Sequence, residues 1–340
     1  MKVKMKSYMP YVGALLCGAA SIAMLAFSLN ASAQEAIRWN VASAYGDNTV
    51  TTQNLRLFVD EVNERSQGRL KLSLHHNGTL FKMPEIKRAV QSRQVEIGEI
   101  LLSAYGNEDP LYEVDGIPTV AQTPEKATKL WELTKPMISA RLEKVGVHPL
   151  FVHYWPGQGF YSKAPVLKPT DFAGMKQRVY NPSGAQWAKL MGATPVLVQY
   201  SEVGQALALG TVNSLFAAPS AVIDSKGWES LSYFYPVGLT RPKNIVLVNN
   251  KAFQELPKDL QELVMTAAAS AEARSHKMAL ASEEDAFATL EKNGMKRGEV
   301  TPELAGYLVE NGKTMIKEWV NKAGSDGAKI IDGLHPGLLK

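Results

Sequence analysis

The sequence has 340 residues, with 37 Lys and Arg against 33 Asp and Glu, and a single cysteine, Cys17. Lys2, Lys4 and Lys6 carry three of the four net positive charges, so residues 34–340 stand near +1 and contain no cysteine. That balance argues against electrostatic binding to nucleic acid or anionic membrane, and it excludes thiol catalysis, disulfides and Cys-ligated metal within 34–340.

The three lysines form a positive n-region, followed by an apolar run from about Tyr11 to Phe27 and by Ala31-Ser32-Ala33. The run is close to membrane-spanning length, so a single anchor is the alternative. The small residues at 31–33 favour cleavage before Gln34, making 1–33 a signal peptide and the mature chain periplasmic. Cys17 follows Leu15-Leu16, where a lipid-attachment site would want small residues.

Ile37–Ala42 reads as a first strand, and Thr51–Gln67 has the apolar spacing of a helix stopped by Gly68. Leu70–Leu74 alternates as a strand. A helix from Pro84 to Gln94 and a strand from Val95 to Ile100 follow. This order predicts a parallel sheet wrapped by helices. Pro124 opens an amphipathic helix to Lys144, and Pro149–Tyr154 is the next strand. A second unit then begins, with strands at Met175–Tyr180, Pro195–Tyr200 and Val212–Phe216 and helices at Ala185–Met191 and from Ser201 to Gly210. Lys258–Lys292 is Ala-rich and nearly free of breakers, a helix of about 50 Å that should brace both units. The expected fold is α/β with two lobes and a cleft between them. The expected division gives 34–158 with 244–275 to the first lobe, and 159–243 with 276–340 to the second.

In such sheets ligands sit beyond the carboxyl ends of the strands, where loops meet helix N-termini. Arg178, in GMKQRVYNPSG, lies two residues before a strand end, followed by the turn Asn181–Gly184 into a helix. Most strand arginines are surface residues. This position nevertheless makes Arg178 a candidate for a carboxylate, which its planar fork of donors suits and a lysine cannot match. Trp155, Phe160 and Tyr161, in YWPGQGFYS, are either core or cleft-lining aromatics. Gly157-Gln158-Gly159 lacks the third glycine and the strand-to-helix setting of a dinucleotide loop. His75 and His76 face opposite ways along a strand, and the other histidines lack ligand spacing, so no metal is expected. Neither a nucleophile elbow, nor H-E-x-x-H, nor a phosphate loop occurs, which lowers the case for a hydrolase, and no cofactor is expected.

FVDEVNERSQGRLKL (58–72), DFAGMKQRVYNPSGAQWAKLMGATPV (171–196) and SEVGQALALGTVN (201–213) carry a family resemblance. From about 37 to 300 the chain resembles the periplasmic solute-binding proteins of tripartite ATP-independent periplasmic (TRAP) transporters, of the dicarboxylate-receptor type. The resemblance implies a receptor and not an enzyme, with an organic acid trapped by lobe closure and delivered to the membrane subunits of a TRAP transporter. It also implies that Arg178 pairs with the ligand carboxylate; the place of Arg178 near a strand end, before a helix N-terminus, puts it in a solvated cleft and not in the core. The stretch Asn213–Ala218 departs from many relatives, which often place a ligand-contacting Asn near Ala217. A second cleft arginine has no match in Pro156–Gly159. With one arginine, a hydroxy or keto monocarboxylate is favoured over a dicarboxylate or sugar acid. By position, Tyr45 and Asn48 after the first strand and Ser103 and Tyr105 after the third would line the first lobe. Asn213, Phe216 and Trp228 would line the second, with Trp155 and Gln158 at the crossing. A receptor for an ATP-driven importer and an exported hydrolase remain as alternatives, the first disfavoured by the long unbroken helix.

Overall fold

The structure, a computed structural model, describes residues 35–339; the signal segment expected at 1–33 lies outside the described residues. Two sheets organise the chain. The first contains β1 (Ile37–Ala42), β2 (Leu70–His75), β3 (Ile97–Leu101), β4 (Val147–Tyr154) and a late strand, β10 (Lys243–Asn249), in the order β2-β1-β3-β10-β4. The second contains β5 (Gly159–Ser162), β6 (Lys176–Val179), β7 (Thr194–Leu197), β8 (Ser214–Ala217), β9 (Tyr233–Tyr235) and β11 (Lys296–Arg297), in the order β11-β9-β5-β8-β6-β7. Helices cover both sheets, which makes the fold the two-lobe α/β architecture expected from the sequence.

The sheets are mixed, however, and not parallel throughout. β1 pairs parallel with β3, but β10 enters between β3 and β4 and runs antiparallel to both, with Ile245 opposite Ile100 on one side and Val152 on the other. In the second sheet β6 runs parallel to β7 and β8, while β5 is antiparallel to β8 and β9. Apolar runs buried on both faces, such as Ile97–Leu101 and Lys243–Asn249, carry no signal of direction, so only the topology reveals the reversal.

Local chemistry sets the element ends. The helix Val50–Arg65 is capped by Thr49, whose side chain accepts from the Thr52 amide at 3.2 Å, and it buries Leu55, Phe58, Val59 and Val62 at i, i+3, i+4 and i+7. Thr123 caps Pro124–Lys144 in the same way, with proline tolerated in the first turn because its missing N–H had no partner to lose.

The helix Lys258–Lys292 has the bounds read from the sequence. It packs on the helix Val50–Arg65 and on β4 of the first lobe, and on the helix Pro219–Asp224 and β11 of the second. Its buried stripe is largely alanine, at 267, 268, 271, 279 and 286, which lets neighbouring elements approach; Asn54 Nδ2 donates to the Ala271 carbonyl at 2.7 Å. A further helical segment, Pro302–Leu334, bends at Gly324 (φ 63°). It packs on Pro182–Leu190 of the second lobe and on Pro124–Lys144 of the first, so 276–340 touches both lobes.

The chain crosses between the sheets at 154–159 and again at 235–243, and the two crossings lie side by side. Trp155 N donates to Pro242 O at 3.1 Å, Gln158 N to Thr240 O at 2.8 Å and Leu239 N to Gln158 O at 2.9 Å. The glycines of the G-x-G stretch serve this close approach. A Cβ on Gly159 would lie 2.3 Å from the Tyr235 carbonyl oxygen, and one on Gly157 3.0 Å from the Arg241 guanidinium.

Candidate functional site

A cavity of about 210 Å³ lies between the lobes at the crossing. The first lobe contributes Tyr45 after β1, Met83 and Leu101; the crossing contributes Trp155 and Gln158; the second lobe contributes Arg178, Tyr180 and Tyr200. Arg178 is fixed by the sheet that carries it. β6 lies between β7 and β8, with Arg178 opposite Val196 and Leu215. Its Nε donates to Val198 O at 3.0 Å and its Nη1 to Phe216 O at 3.3 Å, which leaves Nη2 without a partner among the described residues. The guanidinium lies 4.9 Å from the centre of the Tyr180 ring, and that ring stacks on Phe216 at 5.9 Å.

The sequence reading placed Arg178 in a solvated cleft; the structure buries it, with 3 % of its surface exposed. Packing of β6 between two strands, under the aromatic rings, accounts for the difference. Among the described residues no carboxylate pairs with it, and burial pushes the guanidinium down to about 10.

Three rings form one wall. Tyr45 lies 5.2 Å from Trp155 and 5.5 Å from Tyr200, and Trp155 lies 5.9 Å from Tyr200. Tyr200 Oη donates to Asp224 at 2.9 Å. Gln158 is held at both ends of its amide, donating to Pro156 O at 3.0 Å and accepting from Tyr180 Oη at 3.3 Å. Glu202 is the one carboxylate among the lining residues, and it is turned to its own turn of helix, accepting from the Gln199 amide at 3.2 Å.

Beneath the wall lies a buried polar cluster. Asn244 Oδ1 accepts from Trp155 Nε1 at 2.9 Å and from Tyr45 Oη at 3.2 Å, and Asn244 Nδ2 donates to Glu99 Oε1 at 2.9 Å. The same Glu99 oxygen lies 2.7 Å from His153 Nδ1, and the other accepts from Ser43 Oγ at 2.6 Å. Burial alone would push the Glu99 carboxyl up. The opposite charge of His153, with the hydrogen bonds from His153, Asn244 and Ser43, outweighs it and holds the carboxyl below its ordinary value.

Of the residues singled out in the sequence, Arg178, Tyr45, Trp155 and Gln158 meet at this cavity. Phe216 stands behind it, supplying a carbonyl to Arg178 and a ring beneath Tyr180. Asn48 lines a neighbouring recess with Asp47, Asn77 and Asp224, which shares only Tyr200 and Ser201 with the cavity. Ser103 and Tyr105 are buried elsewhere in the first lobe, where Ser103 Oγ accepts from Asn181 Nδ2 at 2.9 Å and Tyr105 Oη donates to Met83 O at 3.0 Å. Asn213 lies at the opposite end of β8, its side chain accepting from the Lys176 amide at 2.8 Å. Trp228 packs against the core of the second lobe. Phe160 and Tyr161 are core residues, the first stacked on Tyr235 at 4.2 Å. Sequence reasoning missed Tyr180, Tyr200 and Asn244. Tyr180 was within reach, since it shares the Arg178 face of the strand.

The chain belongs to family 7 of the bacterial extracellular solute-binding proteins, the DctP family, whose model matches residues 41–323. It is similar to two Bordetella pertussis extracytoplasmic solute receptors that bind pyroglutamic acid. DctP7 is 39 % identical, with 88 % of this chain and 99 % of that one covered and a TM-score of 0.86. DctP6 is 40 % identical, with 87 % and 99 % covered and a TM-score of 0.86. A solute-binding protein of Albidiferax ferrireducens is 24 % identical over 294 residues, 84 % of this chain and 82 % of its own. The family consists of solute receptors. No described helix is long and apolar enough to cross a membrane.

Proposed function

We propose that this protein is a periplasmic receptor without catalytic activity that captures a compact monocarboxylate of the pyroglutamate type and delivers it to the membrane subunits of a TRAP transporter. One observation carries the reading: a buried guanidinium faces an aromatic-lined cavity and, among the described residues, has no partner at Nη2 and no carboxylate pairing with it. A ligand carboxylate would supply the missing charge. The flat walls of Tyr45, Trp155, Tyr180 and Tyr200 suit a planar five-membered ring. A zwitterionic amino acid would bring an ammonium that the lining leaves unpaired, because Glu202 is turned to the Gln199 amide. A lactam nitrogen carries no such charge, and the pyroglutamate-binding relatives support this choice. The hydroxy or keto acid favoured from sequence thus becomes a lactam acid, with one carboxylate kept.

A thermal-shift and calorimetric panel of pyroglutamate, proline, glutamate, lactate and succinate tests this reading. Pyroglutamate at about a thousand times its dissociation constant should add roughly 4 kcal/mol of apparent stability, several degrees of melting temperature for a protein of this size. Proline and glutamate should add little. Equal binding of proline would overturn the charge argument, and silence across the panel would overturn the ligand class.

Binding should also draw the lobes together, because contacts from both lobes favour the closed form. Small-angle scattering should show a smaller radius of gyration at saturation; an unchanged profile with a verified ligand would refute closure. Uptake by reconstituted transporter with and without a sodium gradient separates this reading from an ATP-driven importer.

A further inference from the structure

We infer that Asn244, oriented by the buried Glu99 carboxylate, is a positioning residue that sets the Tyr45–Trp155 wall of the cavity and thereby the affinity for ligand. The inference rests on the ligand site proposed above, but the geometry behind it lies below that site. An amide can present either its oxygen or its nitrogen, and here the choice is forced. Glu99 Oε1 can only accept, so Asn244 must turn Nδ2 toward it and Oδ1 toward the cavity wall. That one oxygen then receives both the Trp155 indole N–H at 2.9 Å and the Tyr45 hydroxyl at 3.2 Å, which ties a residue of the crossing to a residue of the first lobe. Among the described residues neither ring tip makes another side-chain hydrogen bond. Without Asn244 Oδ1, a buried indole N–H and a buried phenol would lose their partner, and the rings would turn to find another.

Glu99 is held in turn by Ser43 and His153, so the orientation runs from a hydrogen-bonded carboxylate in the core to the cavity surface. The charged and titratable groups facing the cluster are few. His153 comes from β4, Tyr45 from the segment after β1, and Arg178 acts on Tyr45 from the second lobe. Lys243, next to Asn244 on β10, points to the other face and pairs with Asp115 at 3.1 Å.

Asn244→Asp tests the inference with a readout that a merely structural role would not produce. A protonated aspartic acid at 244 can donate to Glu99 and still offer an oxygen to Trp155 and Tyr45. An ionised one sets two carboxylates against each other. Asn244→Asp should therefore bind pyroglutamate roughly tenfold to hundredfold more weakly than wild type at pH 8 and recover most of that loss at pH 5, by calorimetry. Wild-type affinity at pH 8, or a loss that does not recover although the variant melts normally, would overturn the inference. Asn244→Ala covers the case in which the aspartate variant does not fold; it should lose a similar factor at every pH, and unchanged affinity there would also overturn the inference. Trp155 emission in the ligand-free protein, taken as the difference from Trp155→Phe, needs no ligand. It should shift between pH 5 and pH 8 in Asn244→Asp far more than in wild type. If pyroglutamate fails to bind wild type, the ligand reading falls while this emission result still decides the role of Asn244.

Discussion

Arg178→Ala should weaken binding of the organic acid by about two to four orders of magnitude. A ligand carboxylate enclosed without its cation loses roughly 3–5 kcal/mol, at about 1.4 kcal/mol per tenfold. Arg178→Lys keeps a charge but loses the fork and the bonds from two of its nitrogens to Val198 O and Phe216 O, so it should fall between wild type and alanine. The ligand-free protein should respond differently. Burial pushes the guanidinium down to about 10, well below its ordinary value. A cation whose folded value lies below its unfolded one disfavours the folded, anion-free form at every pH below about 10, here by about 3 kcal/mol, and the penalty fades as pH rises further toward the unfolded value. Alanine removes that penalty while leaving a void and two carbonyls short of a donor, so the ligand-free melting temperature should move by only a few degrees. Calorimetric titration and melting curves of the three proteins check both halves. Wild-type affinity in the alanine variant would remove the anchor role, and a collapsed ligand-free melting curve would make Arg178 structural.

Gly159→Val should be the most damaging small change at the crossing. The new Cβ would stand 2.3 Å from the Tyr235 carbonyl oxygen, which belongs to a paired strand and cannot swing away as a side chain tip could. Overpacking against backbone typically destabilises by 1–3 kcal/mol, and the rigidity of β9 beside β5 puts this site at about 3 kcal/mol, a melting temperature lowered by several degrees. Gly146→Ala makes a useful contrast: no atom lies within 4 Å of its added Cβ, and its loss should come from backbone strain at φ 86° alone. An equal effect of the two substitutions would refute the steric account of Gly159.

The helix Lys258–Lys292, the strand Ile37–Ala42 and the helix Pro124–Lys144 were legible because caps, breakers and apolar spacing agree there. β5, β9 and β10 were not, since short buried strands of Gly, Tyr and Val show neither alternation nor direction. Arg178 was legible as a fork of donors near a strand end, but its burial was not, because burial depends on which strands flank β6. Asn213 shows the cost of missing direction. β8 runs from Ser214 to Ala217, so its carboxyl end, with Ala218, meets the cavity while Asn213 lies a strand length away. Asn244 was illegible for a deeper reason: its partners Glu99, Tyr45 and Trp155 come from three separate stretches, and nothing local marks an amide that three distant segments will share.

The position of β10 also governs how the chain can assemble. The strand that joins β3 to β4 in the first sheet is made from residues 243–249, after the entire run from β5 to β9 has been laid down in the other lobe. Until it arrives, β3 and β4 present bare edges to each other, and the first lobe cannot complete its core however early its own residues appear. Its closure therefore spans about half the sequence, a high contact order that favours folding in milliseconds to seconds over the microseconds of locally wired domains. A polypeptide cut short before Lys243 would be left with two open edges and a strong tendency to aggregate, because the insertion that finishes the first sheet also anchors the return from the second.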